Sequence, residues 1–189
     1  MREKRKTMTS RISRRQQQTQ LFTWKDLLWV VALLLVVFGL RQFVFTPVEV
    51  HGASMDPNLQ DSERLIGLKF GDPKRFDVVS FHAPDADKEY IKRVIAFEGE
   101  KVEYIADQLF IDGEPYTEAY LDEFKKDLAK ETYFTEDFSF LVPKGGLFVL
   151  GDNRPISKDS RVFGAISEES ITANAKFIFW PPSKIGAVK

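Results

Sequence analysis

An uncharged run from Leu27 to Leu40, closed by Arg41, constrains this chain more than any other feature. A helix apolar on every side has no face for water, so it belongs in lipid or deep in a large core. Taken from Leu21 to Phe45, with Lys25, Asp26, Arg41 and Gln42 near its ends, the stretch is long enough at about 1.5 Å per residue to cross about 30 Å of hydrocarbon. Lys25 and Arg41 can extend toward headgroups, and Trp24 and Trp29 suit the interface. A cleavable leader would be followed by small residues spaced for cleavage, which Arg41 to Pro47 lacks. A buried helix of a soluble protein rarely carries such basic flanks. The reading is one membrane anchor over residues 24–45, after a basic tail of 1–23 and before a domain of 46–189.

The charge distribution gives the anchor a direction. Residues 1–26 hold eight basic and two acidic side chains, a balance of +6, while the rest holds 19 basic and 26 acidic, or −7. A basic head can be a nucleic-acid arm, but this one runs straight into the apolar segment. The positive-inside rule then places the N-terminus in the cytoplasm and everything after Thr46 outside. About 144 residues remain beyond the anchor, enough for one domain with its own core and tight for two. No cysteine is present, which excludes disulfides, thiolate metal sites and a cysteine nucleophile. His51 and His82 stand outside any HExxH pattern, so no metal centre is expected.

After Pro47 the pattern becomes one of strands. Arg64–Leu68, Phe76–Phe81 and Tyr90–Phe97 are short apolar or alternating runs separated by Gly71-Asp72-Pro73 and Ala83-Pro84-Asp85, which have turn composition. Val102–Ile105 and Gln108–Ile111, broken at Ala106-Asp107, read as a hairpin ending in Asp112-Gly113. Further strands are expected at Phe138–Val142, Leu147–Leu150 and Lys176–Trp180. A helix is expected over 117–130, where Tyr120, Leu121, Phe124 and Leu128 share a face. The expected fold class is mainly β: an antiparallel sandwich or partly open barrel, with residues of about 100–143 as a small inserted α+β segment.

The candidate chemistry begins at Ser54, in Gly52-Ala53-Ser54-Met55-Asp56-Pro57, shortly beyond the apolar run. A serine hydroxyl needs a base to become a nucleophile. His51 is near, but if Val48–His51 is extended it points opposite Val48 and Val50 and suits the surface. Lys92 is the other candidate. In a strand it shares a face with Tyr90 and Val94, while Arg93 points away. Apolar burial could keep its amine neutral, as a base must be. An edge-strand lysine guarding against aggregation fits the same pattern, and the strand alone does not separate the two. The G-x-S-x-G elbow fails at Asp56, and no S-x-x-K occurs. The loop Gly151 to Gly164 adds two hydroxyls, two aspartates and two arginines after a strand, a set suited to orienting a lysine.

With these blocks in order (Gly52 to Leu59, Arg75 to Phe81, Tyr90 to Ile95 and Gly151 to Gly164), the chain resembles the bacterial type I signal peptidases of peptidase family S26, in the short form with one anchor. The resemblance runs from the anchor to about Pro182. It implies Ser54 as nucleophile, Lys92 as general base and Ser157 as the hydroxyl orienting the Lys92 amine. It implies Asp152 paired with Arg93, Asp159 paired with Arg161, and Tyr90 in the packing that keeps Lys92 neutral. The Ser54 backbone N–H would donate to the oxyanion. Some members add a serine hydroxyl two positions earlier, where this chain has Gly52. Asn58 and Ala96-Phe97-Glu98-Gly99 also depart from the common pattern. The implied substrates are signal peptides of exported preproteins, cut after small residues at −3 and −1, with Val50, Met55 and Ile91 as candidate pocket walls. The substrate would dock as an added strand. Met55 and Pro57, with Phe43, Val44 and Phe45, would form a surface resting on the bilayer. No metal, organic cofactor or nucleic acid is implied; the partners are the substrate, the lipid bilayer of the bacterial cell membrane and, functionally, the export machinery. A self-cleaving repressor-type Ser/Lys protease and a non-enzymatic assembly factor on the same fold are the alternatives. The first would have a DNA-binding head in place of the span, and degenerate relatives of the second kind would lose the serine or the lysine.

Overall fold

In the computed structural model, which describes residues 23–126 and 133–188, the apolar run is helix α1 (Trp24–Phe43). Asp26 Oδ2 accepts from Thr23 N at 2.7 Å and Thr23 Oγ1 at 2.8 Å, a cap that fixes where the helix starts. At 20 residues the helix is about 30 Å long. Its most apolar window has a mean hydropathy of 1.9 and no residue of α1 is buried, so by length and composition it is able to cross a membrane. The basic tail lies outside the described residues except for Thr23.

Residues from Phe43 onward form a second unit. Its strands are β1 (Phe45–Glu49), β2 (Arg64–Leu68), β3 (Val78–His82), β4 (Glu89–Ala96), β5 (Lys101–Ile105), β6 (Gln108–Ile111), β7 (Glu114–Tyr116), β8 (Phe138–Leu141), β9 (Gly146–Leu150), β10 (Ile166–Ser167), β11 (Ile171–Trp180) and β12 (Gly186–Ala187). They build two antiparallel sheets, neither of them closed. One runs β1-β2-β11-β3-β4-β9-β10 with β12 added to β11, and the other runs β7-β6-β5-β8. The expected mainly β, antiparallel, unclosed architecture is therefore present. Pro47 sits in β1, an edge strand, where a missing N–H is tolerated. Two-residue loops, Ala106-Asp107 and Asp112-Gly113, close the β5–β6 and β6–β7 hairpins, and all four residues have positive φ as such tight turns require.

Three apolar clusters hold the unit. Val48, Val50, Met55, Leu65, Val78, Ile91 and Ala175 are among those of the first. Val79, Phe81, Val94, Leu147, Val149 and Ile166 form the second, with Tyr90 and Phe163 packed on it. The third, including Tyr104, Leu109 and Phe148, joins the small sheet to the strand ends of the large one. Adjacent residues Val78 and Val79 fall in different clusters because successive side chains of a strand face opposite ways.

The helix expected over 117–130 begins later and differently. A 3-10 turn at Ala119–Leu121 leads into α2 (Asp122–Lys126), and residues 127–130 lie outside the described residues. Glu118 has φ −107° and ψ 68°, outside helical geometry, and its carboxylate is bonded to Tyr104, Tyr120 and Arg154. Those tertiary bonds fix Glu118 at the price of the first helical turn. A last short helix, α3 (Ser160–Phe163), is capped by Asp159, whose side chain accepts from Arg161 N.

Candidate active site

Ser54 sits in a turn that leaves β1 and is pinned from both sides. Below it, Met55 and Leu59 are fully buried, and Leu59 N donates to Met55 O at 2.9 Å. Above it, Asn153 N donates to Ser54 O at 3.0 Å and Asn153 Nδ2 to Ala53 O at 3.1 Å. The turn enters through Gly52 at φ +81°, with its N–H held by Asp61 Oδ1 at 2.7 Å. A left-handed φ strains any side chain, so a hydroxyl-bearing residue is disfavoured there on backbone grounds.

Lys92 reaches the serine from β4. Its Nζ lies 2.7 Å from Ser54 Oγ and donates to Ile91 O at 3.0 Å. β9 pairs with β4 only from Arg93 onward, so the Glu89–Lys92 edge is open on that side. Lys92 is nonetheless 4% exposed, with Val79 opposite it and the Tyr90 ring centroid 5.4 Å from Nζ. Burial lowers its pKa from 10.5 to about 8, aided by nearby Lys88 and opposed by Asp159 and Asp152. Tyr90 is itself packed between Phe81 and Phe163. The aggregation-guard reading fails for Lys92, because a guard must be exposed.

The Gly151–Gly164 loop closes over the pair. Arg93 Nε donates to Asp152 Oδ1 at 2.8 Å and Nη2 to Oδ2 at 2.5 Å, a bidentate pair with both partners buried. Arg161 grips Asp159 in the same two-pronged way at 2.8 and 2.9 Å, and Asp159 Oδ2 also accepts from Gly151 N at 3.1 Å. Gly151 tolerates no side chain: a Cβ there would lie 2.1 Å from Ser157 Oγ and 2.5 Å from Ser54 O. The expected hydrogen bond from Ser157 to the Lys92 amine is not formed. Ser157 Oγ is buried with no partner, and the amine contacts Ser54 Oγ and Ile91 O instead.

A cleft of about 230 Å³ opens at the pair, walled by Glu49 to Met55 on one side and Glu89 to Lys92 on the other, with Ile156 and Lys158 at its rim. Val50, Met55 and Ile91, the expected pocket residues, all line it and share one apolar cluster. Met55 is fully buried, so it cannot belong to a surface resting on a bilayer. His51 lines the cleft but is exposed, and it is Lys92 that meets the serine. His82 is exposed at the end of β3.

Several contributors had no individual role assigned from the sequence. Asn153 fastens the serine turn, and its place beside Asp152 was the only hint. Asn58, noted in the sequence only as a departure from the family pattern, donates to Asp152 Oδ2 at 2.8 Å. Arg154 is 1% exposed and paired with Glu118 at 2.5 Å, a contact between distant segments that no local pattern announces.

This arrangement pairs a hydroxyl with a buried amine of lowered basicity beside an open strand edge, a setting for acyl transfer from an extended peptide. Comparison with known proteins gives the family. The family model described as signal peptidase, peptidase S26, matches residues 23–180. The chain is 40% identical over 178 residues to signal peptidase IB of Staphylococcus aureus, covering 85% of this chain and 93% of that one. It is 36% identical over 195 residues to signal peptidase I of Streptococcus pneumoniae, covering 86% and 94%. A crystal structure of a signal peptidase I from Enterococcus faecalis superposes with a TM-score of 0.54 at 39% identity, covering 55% of this chain and 97% of that chain.

Proposed function

We propose, from the premise that the chain belongs to the peptidase S26 family of signal peptidases and is therefore a serine peptidase, that it removes signal peptides with Ser54 as nucleophile and Lys92 as general base. The observation that carries this reading is the 2.7 Å approach of a buried, weakly basic Lys92 Nζ to Ser54 Oγ. The neutral amine takes the hydroxyl proton as Oγ attacks the scissile carbonyl. The oxyanion forms against the Ser54 N–H, which among the described residues donates to no other group. The intermediate collapses as Lys92 passes its proton to the leaving amine, leaving an acyl-serine. A water, deprotonated by the same lysine, then attacks the ester and releases the signal peptide. Ser54, Lys92 and water carry every bond and proton of this cycle, so no metal or organic cofactor is called on.

Asp152, Arg93, Asp159, Arg161 and Tyr90 support the pair in this reading, while Ser157, whose hydroxyl has no partner, contributes only by packing against the loop. Val50, Met55 and Ile91 wall shallow pockets, which favours small residues at −3 and −1. The open edge of β4 lets the substrate bind by main-chain hydrogen bonds, so little further sequence is demanded. Residues 24–45 anchor the enzyme in the cell membrane, with tail 1–23 in the cytoplasm and catalytic domain 46–189 outside, where the export machinery delivers cleavage sites. The size and apolarity of α1 and the basic excess before it support that placement. The test is cleavage of a preprotein by detergent-solubilised protein. Ser54→Ala and Lys92→Ala should each lose at least about 10³-fold in rate, and near-normal cleavage by either would sink the pairing.

A further inference from the structure

We propose that Tyr120 is a positioning residue for this reaction, through which the inserted segment aligns the serine turn, the lysine strand and the Gly151–Gly164 loop; the inference rests on the Ser54–Lys92 reading. Tyr120 is distant in sequence from all three and meets each of them. Its backbone O accepts from Asn58 Nδ2 at 2.9 Å, and the same amide donates to Asp152 Oδ2 at 2.8 Å. Both Asn58 amide protons are thus committed, binding the end of the serine turn to the loop and the insertion together.

The ring lies under Arg93, with its centroid 4.0 Å from the guanidinium carbon. Arg93 adjoins Lys92 and is spent on Asp152 and on Phe76 O at 2.8 Å, so the ring supplies the face its hydrogen bonds leave open. The hydroxyl end donates to Glu118 Oε1 at 2.6 Å and accepts from Arg154 Nη2 at 3.2 Å. Arg154 in turn donates from Nε to Gly151 O at 2.9 Å, at the residue packed against both Ser157 and Ser54 O. Burial raises the Glu118 pKa, but the Arg154 charge and hydrogen bonds from Tyr104, Tyr120 and Arg154 outweigh it and hold the carboxyl ionised.

A tyrosine that only filled a core would need none of these directed contacts. Here they lead directly to Asn58 and Arg93 and, through Arg154, to the Gly151 carbonyl, groups covalently close to the reacting atoms or packed against them. Misplacement by about 1 Å is enough to cost an enzyme about 100-fold in rate.

The test measures kcat and KM separately for preprotein cleavage by the full chain in detergent, per folded molecule judged by circular dichroism. Tyr120→Leu removes the ring and hydroxyl, and kcat should fall about 10- to 100-fold while KM stays within about threefold. Tyr120→Phe keeps the ring beneath Arg93 and should return kcat to within about threefold of the parent. Asn58→Ala cuts the other bridge and should lower kcat at least about fivefold with KM again little changed, which keeps the test decisive if Tyr120→Leu does not fold. A kcat within about twofold of the parent for folded Tyr120→Leu and Asn58→Ala, or a loss confined to KM in them, overturns the positioning role. Near-normal cleavage by Ser54→Ala overturns the underlying pairing instead, and that control is run beside every variant.

Discussion

Replacing Lys92, the proposed general base, with an apolar side chain should make the protein inactive and, near neutral pH, more stable. Lys92→Met keeps the length and roughly the volume of the side chain while deleting the amine. The folded state holds that amine at a pKa of about 8, whereas the unfolded chain restores 10.5. At 1.36 kcal/mol per pH unit, this interval corresponds to about 3 kcal/mol of destabilisation borne by the wild type wherever Lys92 is protonated in both states. The sign follows from proton counting. Between pH 8 and 10.5 the unfolded chain binds a proton that the folded chain releases, so wild-type stability rises with pH across that window. The full cost is present below about pH 8 and is gone above 10.5. Met also forfeits the contacts with Ser54 Oγ and Ile91 O, about 1 kcal/mol each and independent of pH in this range. The diagnostic quantity is therefore the pH dependence of the difference between the two proteins, in which other titrating groups cancel. Urea unfolding of full-length protein in detergent, from pH 6.5 to 10.5, should show the advantage of Met shrinking by about 3 kcal/mol as pH rises. A difference that stays flat, or grows with pH, would refute the claim that burial makes this lysine a weak base.

The same lowered pKa predicts that kcat/KM declines about tenfold per pH unit below about 8, because in the proposed mechanism the reactive form is the neutral amine. Lys88 helps to lower that pKa, so Lys88→Gln should move the midpoint to higher pH; an acid shift in the pH–rate profile counts against the assignment. Gly151→Ala must displace Ser157 Oγ or Ser54 O, and kcat should fall at least about 100-fold in the preprotein assay. Glu118→Ala leaves Arg154 buried without its counter-ion and should cost about 3–5 kcal/mol in denaturant unfolding, while an effect near zero would mean that the pair is not formed in solution.

Most strands were legible because their apolar residues alternate or cluster between turn residues. Arg64–Leu68 and Gln108–Ile111 match β2 and β6 at both ends. The first half of β11 was not legible: Thr172, Ala173, Asn174 and Ala175 carry no apolar rhythm. That segment is central because β2 and β3 pair with it on either side, with β2 so close that a Cβ on Gly67 would fall 2.6 Å from Ala173 Cβ. The helix expected over 117–130 starts late for a related reason. A helical segment is present at Asp122–Lys126, but Glu118 is held by Arg154 from another segment, and a pattern within one window cannot report a partner outside it. At the site, the residues proposed to carry the chemistry could be named from their own blocks and from resemblance. The residues that hold those blocks together, Asn58, Tyr120 and Glu118, act through contacts at long sequence separation and leave no local mark.

The two Asp–Arg pairs resolve a conflict built into this kind of site. The loop needs carboxylates: Asp159 accepts from Gly151 N and caps α3, while Asp152 fastens Asn58 and Arg93. Yet each carboxylate near Lys92 favours the ammonium and so works against its use as a base, and both are among the influences that raise its pKa. Each carries its own arginine in a two-pronged clasp, Arg93 on Asp152 and Arg161 on Asp159, which places a positive charge against it and offsets part of its pull on the amine. Burial then prevails, and the amine stays near pKa 8 with two aspartates close by. On this view the arginines tune the base as much as they brace the loop. Losing one should damage catalysis twice, once through position and once by returning a proton to Lys92.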